Sequence, residues 1–186
     1  MWSSASRSRS LASALAVVAL AGCGGSDRVE GPPPAAPDQI RLTSTAFANG
    51  GTIPKRFSCD GDEVSPSLQW TGVPGAAREL ALLVEDPDAP GGTFVHWVVY
   101  KLAPETRGIP AGRVPAGARQ GQNSSGDAGY AGPCPPKGDA PHHYEFLLYA
   151  LSKPLDVEDG APADEVRAAV SDTAIARGKL VGRFGR

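Results

Sequence analysis

The residues able to do chemistry fall in two clusters. The first is Glu85-Asp86-Pro87-Asp88-Ala89-Pro90-Gly91-Gly92-Thr93-Phe94-Val95-His96, which sets acids and a histidine between two apolar runs. In the second, Gly132-Pro133-Cys134-Pro135-Pro136 closes a proline-rich stretch and leads to His142-His143-Tyr144. Pro87 and Pro90 fix φ and forbid a helix, and Gly91-Gly92 permits a turn, so Asp86 and Asp88 sit on a stiff corner. A histidine beside a turn aspartate has an ordinary structural use, as a core imidazole hydrogen-bonded to a carboxylate. The same side chains also admit chemistry. His96, His142, Asp86 and Asp88, or Cys59 and Cys134 with the two histidines, are metal-ligand types, although no Cys-x-x-Cys or His-Glu-x-x-His spacing accompanies them. A histidine can serve a phosphoryl hydrolase as nucleophile or general acid, but no arginine clamp for the transition state is evident.

Strands must carry these groups. Leu80-Ala81-Leu82-Leu83-Val84 is apolar on both faces and belongs inside a sheet, with Asp86 in phase with Leu80, Leu82 and Val84. Alternation along the next run places Phe94, His96, Val98 and Tyr100 on one face, and later His142, Tyr144, Phe146 and Leu148 on another. Ile40 to Phe47 alternates and reads as a strand, Asn49-Gly50-Gly51 as a turn, and Ser65 to Trp70 as a short edge strand led in by Pro66. Residues 103 to 142 form a long Gly/Pro-rich segment of the kind that carries function. Val166, Ala169, Val170 and Thr173 recur at helical spacing, with acids early and Arg177 late, which predicts a helix over 163–177 ended by Gly178. Leu180 to Phe184 returns as a last short strand.

A chain of 186 residues with 18 prolines, 23 glycines and 41% apolar residues fits one loop-rich β domain with extensions. No P-loop, dinucleotide glycine motif or Gly-x-Ser-x-Gly elbow appears, and none implies a cofactor. Arg7 and Arg9 precede the apolar run Leu11 to Leu20, which is too short for a comfortable membrane span, and Leu20-Ala21-Gly22-Cys23 follows at once. This resembles a bacterial lipoprotein signal with its lipobox. The resemblance implies removal of residues 1–22 and acylation of Cys23, placing an exported chain in the cell envelope on a lipid anchor such as palmitate. Without Arg7 and Arg9, 16 basic residues face 20 acids and no basic run exists, so the chain has no field to draw in nucleic acid. Residues 23–38, with Pro32-Pro33-Pro34, read as a semi-rigid tether that holds a domain of residues 39–186 off the membrane.

Asp86-Pro87-Asp88-Ala89-Pro90, Phe94-Val95-His96-Trp97, Gly132-Pro133-Cys134-Pro135-Pro136 and His142-x-Tyr144, with the Cys59-Asp60-Gly61 loop and Ser65-Pro66, together resemble the phosphatidylethanolamine-binding protein family. The resemblance is closer to its bacterial, Raf-kinase-inhibitor-like branch. It implies an all-β antiparallel fold with a large central sheet, a smaller packed sheet, a peripheral C-terminal helix and a small anion pocket at one end. Asp86, Asp88, His96, His142 and Tyr144 fall on the family's pocket positions, and Gly132, Pro135 and Pro136 on its wall motif. His143 stands where eukaryotic members commonly have arginine, so kinase regulation is not implied. The ligand implied is a phosphorylated small molecule or phospholipid headgroup. Imidazole, backbone N–H and tyrosine hydroxyl donate to phosphoryl oxygens, while the two aspartates hold the histidines protonated or receive an ammonium. Among relatives the fold also serves as an inhibitor, so the alternative function is an inhibitor or interaction module for an envelope hydrolase, which would be its envelope protein partner. With Cys23 acylated, Cys59 and Cys134 remain as an even pair in an oxidising compartment, and a disulfide between their loops is expected.

Overall fold

A computed structural model describes Met1 and residues 28–186. Cys23 and, apart from Met1, the stretch read as a lipoprotein signal lie outside the described residues. Among the described residues the fold is mainly β, in two sheets with one short α-helix. Chain order is β1 (Arg41–Ser44), β2 (Gly51–Thr52), β3 (Leu68–Thr71), β4 (Glu79–Asp86), β5 (Phe94–Leu102), β6 (Gly108–Ile109), β7 (Arg119–Gln120), β8 (His142–Leu151), α1 (Ala163–Ser171) and β9 (Ala174–Phe184). The small sheet runs β1-β3-β6 and the large one β2-β9-β8-β4-β5-β7. All pairings between these named strands are antiparallel except the short β2–β9 pair.

The large sheet is covered on both faces, which is why its middle strands read as unbroken apolar runs. All eight residues of β4 are buried. On one face Leu80, Leu82, Val84, Trp97, Val99, Phe146 and Leu148 pack against Leu42, Leu68 and Trp70 of the small sheet. On the other, Ala81, Leu83, Val98, Tyr100, Leu147 and Tyr149 pack against Val166 and Val170 of α1. The helix is thus the peripheral cover of one face.

Three local expectations are corrected. β3 is the middle strand of its sheet, not an edge, because the two-residue β6 pairs along its far side. The helix stops at Ser171, where the Thr173 hydroxyl donates to the Ala169 carbonyl at 2.8 Å, and the chain re-enters the sheet at Ala174. Ala176, Gly178, Leu180, Gly182 and Phe184 then alternate inward, so Arg177 and Gly178 are strand residues. Finally, the stretch read as a tether is bound to the domain from Arg28 onward. Val29 is buried and its N–H donates to the Thr93 carbonyl at 3.1 Å; Arg167 donates to the carbonyls of Glu30 and Gly31; the Tyr149 hydroxyl donates to that of Pro34; and Asp38 pairs with Arg177. A proline-rich strand with few donors of its own is well suited to having its carbonyls used by the domain's side chains.

Candidate functional site

Asp86 ends β4 at the rim of the core, and β5 and β8 run on either side. Between them the strands deliver His96 and His142. Register explains the aim of His96. Val84 pairs with Trp97 and Glu85 with Val95, so His96 is the extra residue of a bulge. The bulge breaks the alternation expected from sequence: Phe94 and His96 face the site, Trp97 and Val99 continue that side, and Val98 and Tyr100 point to the helix face.

Asp86 is 3% exposed, and both of its oxygens are engaged. Oδ1 accepts the Asp88 N–H at 2.9 Å, and Oδ2 accepts from His142 Nδ1 at 2.8 Å. His96 Nε2 stands 4.0 Å from the same Oδ2. The Nδ1–H of His96 donates to the Ala131 carbonyl at 2.8 Å, which fixes the tautomer because a carbonyl only accepts. Burial pushes the His96 pKa down to about 4, against the raising effects of the Ala131 hydrogen bond and of Asp86. His96 is therefore a neutral imidazole at pH 7, and the expectation that the acids keep it protonated is corrected: a charge 4.0 Å away does not offset its desolvation. Each histidine is held by Nδ1, and each Nε2 is left without a hydrogen bond among the described residues.

The two imidazoles line a cavity of about 410 Å³ with Asp86, Ala89, Pro90, Phe94, Ala131, Gly132, Pro135 and Pro136. Cys59 and Cys134 also line it, joined in a disulfide as expected, with Cα atoms 5.5 Å apart. That bond removes both sulfurs as metal ligands. Gly132 is required by close approach: a Cβ there would lie 2.9 Å from the Phe57 carbonyl oxygen. Its N–H is not a free anion donor, since it donates to Glu63 Oε1 at 3.0 Å. Glu63 holds a φ of 54°, a strained backbone for a side chain with a Cβ, and its carboxylate spans the gap to the proline wall.

Two expected site residues stand elsewhere. Tyr144 does not line the cavity but underlies it, 1% exposed, with its ring edge-on to His96 at 5.1 Å between centroids. Its hydroxyl is buried and unpartnered among the described residues, and burial together with the charge of Asp86 raises its pKa far above the tyrosine range. Asp88 turns outward. Its Oδ2 accepts from both the N–H and Nδ1 of His143 at 2.8 Å, bonds that lower its pKa although burial opposes them. Three wall residues escaped the sequence reading: Glu63, Ser125 and Arg28. Arg28, from the supposed tether, lines the cavity with its guanidinium 4.5 Å from the Phe94 ring centroid.

Two packed β-sheets with a small cavity beyond the ends of the central strands, its largely apolar wall set with two imidazoles, an arginine and two carboxylates, define a small β-sandwich. The family model for phosphatidylethanolamine-binding protein matches residues 43–185, and the chain belongs to that family. A UPF0098 protein of Methanothermobacter thermautotrophicus is 45% identical over 152 residues, 79% of this chain and 99% of that protein. LppC of Mycobacterium tuberculosis, whose name places it among lipoproteins, is 44% identical over 184 residues, 90% of each chain. Among solved structures, Escherichia coli YbcL, described as a member of the mammalian PEBP family, superposes with a TM-score of 0.76 at 32% identity. That match covers 80% of this chain and 99% of YbcL. A Chlamydia trachomatis homologue of these proteins gives 0.74 at 40% identity, again over 80% and 99%.

Proposed function

We propose that the cavity binds the phosphoryl group of a small molecule or phospholipid headgroup without turning it over, in an envelope lipoprotein anchored through Cys23. The observation that carries this reading is the way the histidines are held. Asp86 and the Ala131 carbonyl take both Nδ1 atoms, so two Nε2 atoms are preorganised toward one cavity at no cost when ligand arrives. The neutral Nε2 of His96 accepts, so a phosphate monoanion brings its own proton to it or a proton is taken up with the ligand. Affinity therefore rises as pH falls. The relative named as a lipoprotein supports the anchor, and the lipobox ending at Cys23 supplies its chemistry.

Calorimetric titration of phosphoethanolamine and inorganic phosphate into wild type, His96→Ala and His142→Ala tests the site. Loss of binding in both variants supports it. Equal binding by all three proteins places the site elsewhere, and multiple turnover of any phosphoester makes the protein an enzyme.

A further inference from the structure

We infer that Arg28 is the cation of this anion site, carried into it by the segment that leads from the acylation cysteine to the domain; the inference rests on the binding function proposed above. Among the described residues, only two buried side-chain polar atoms lack a hydrogen-bond partner: Arg28 Nη1 and Tyr144 Oη. Both belong to this corner of the molecule, one in the cavity wall and one beneath His96. Both can donate, and a buried donor left unpaired is costly unless something supplies an acceptor.

Charge points the same way. Arg28 is the one lysine or arginine lining the cavity among the described residues, against Asp86 and Glu63. The acids are committed, Asp86 to Asp88 and His142, and Glu63 to the Gly132 N–H. Arg28 has no ion pair among the described residues. Its charge also disfavours protonation of His96, so it acts on the same space as the imidazole. An incoming phosphate finds one permanent positive charge with a planar set of donors, suited to two phosphoryl oxygens at once.

The position of Arg28 does not depend on its own side chain. Val29 is seated in the helix-side core and bonded to Thr93, and the Glu30 and Gly31 carbonyls are clamped by Arg167 at 2.9 and 2.8 Å. Arg167 is itself fixed by Glu85 at 3.0 Å, the residue before Asp86. One strand end thereby sets both the histidine-holding carboxylate and the strap that brings the cation.

The test is calorimetry on the purified full chain with inorganic phosphate, and flotation with phosphatidylethanolamine vesicles for the Cys23→Ser form. Arg28→Gln should weaken phosphate binding about tenfold to a hundredfold, the range of a charge-assisted hydrogen bond, with an unchanged melting temperature. Arg28→Lys should recover part of the loss. Equal dependence on Arg28 in phosphate and vesicle binding supports a headgroup as ligand source; dependence in phosphate alone supports a soluble phosphate, and both support the assignment. Wild-type affinity in Arg28→Gln, with binding lost in His142→Ala, overturns the role of Arg28 and leaves the pocket standing. Absence of phosphate and vesicle binding in the wild type overturns both. A fall in melting temperature matching the binding loss, without rescue by lysine, reduces Arg28 to a structural part.

Discussion

His96 should make the protein acid-labile in a defined window. Its pKa falls from an ordinary 6.5 to about 4 in the folded state, chiefly through burial. Above pH 6.5 imidazole is neutral in both states and contributes nothing to the pH dependence. As pH falls below that, the unfolded chain binds a proton that the folded protein refuses, so stability drops until folded His96 also protonates near 4. At about 1.4 kcal/mol per unit, the full loss is about 3 kcal/mol, with about 2 kcal/mol of it present by pH 5. Asn at this position keeps a donor for the Ala131 carbonyl but does not titrate. Urea unfolding of wild type and His96→Asn across this range isolates the effect, because the carboxylates of the chain are common to both. The difference in stability between the two proteins should shift by about 3 kcal/mol toward the variant on acidification. A difference independent of pH would mean that His96 is not buried neutral, and the account of the site's electrostatics would fall with it.

Three further outcomes follow from the fold. Replacing Cys59 and Cys134 together by Ser frees a closure of 75 residues and should lower stability by up to about 4 kcal/mol, read from denaturant midpoints; no change would mean that the loops are held by other contacts. Arg167→Ala leaves the buried Glu85 unpaired and releases the Glu30 and Gly31 carbonyls, so a loss of about 3–5 kcal/mol is expected, with faster amide exchange at Val29. Gly132→Ala forces the proline wall off the Phe57–Ser58 backbone and should cost about 1–3 kcal/mol in thermal unfolding while weakening phosphate binding, whereas native values for both would show that the wall can move freely.

The central strands were legible because burial on both faces leaves an unbroken apolar signature in Leu80 to Val84 and in Phe146 to Leu151. Asp86, His96 and His142 were legible as types and spacings, and they do converge. The orientation of His96 was not, since a bulge is a property of two paired strands and alternation is read from one. Residues 172–177 satisfy a helical period and a strand period alike, and the sheet decided between them by offering the whole length of β8 as a partner. β3 was misread because the strand beside it is two residues long, below what periodicity can detect. Arg28 was hidden for a different reason. Composition marks 28–38 as linker, and only tertiary contacts to Thr93, Arg167, Tyr149 and Arg177 distinguish a docked strap from a free one.

The bond between Cys59 and Cys134 gives the cavity a sense of place. One sulfur belongs to the loop after β2 and the other to the proline wall, so the cavity's perimeter is complete only after a thiol pair far apart in sequence has been oxidised. Such pairs stay reduced in cytosol. Were the chain exported as proposed, its wall would be unfastened before translocation and fastened only after it. On the proposed export and binding function, oxidation would couple translocation to completion of the pocket.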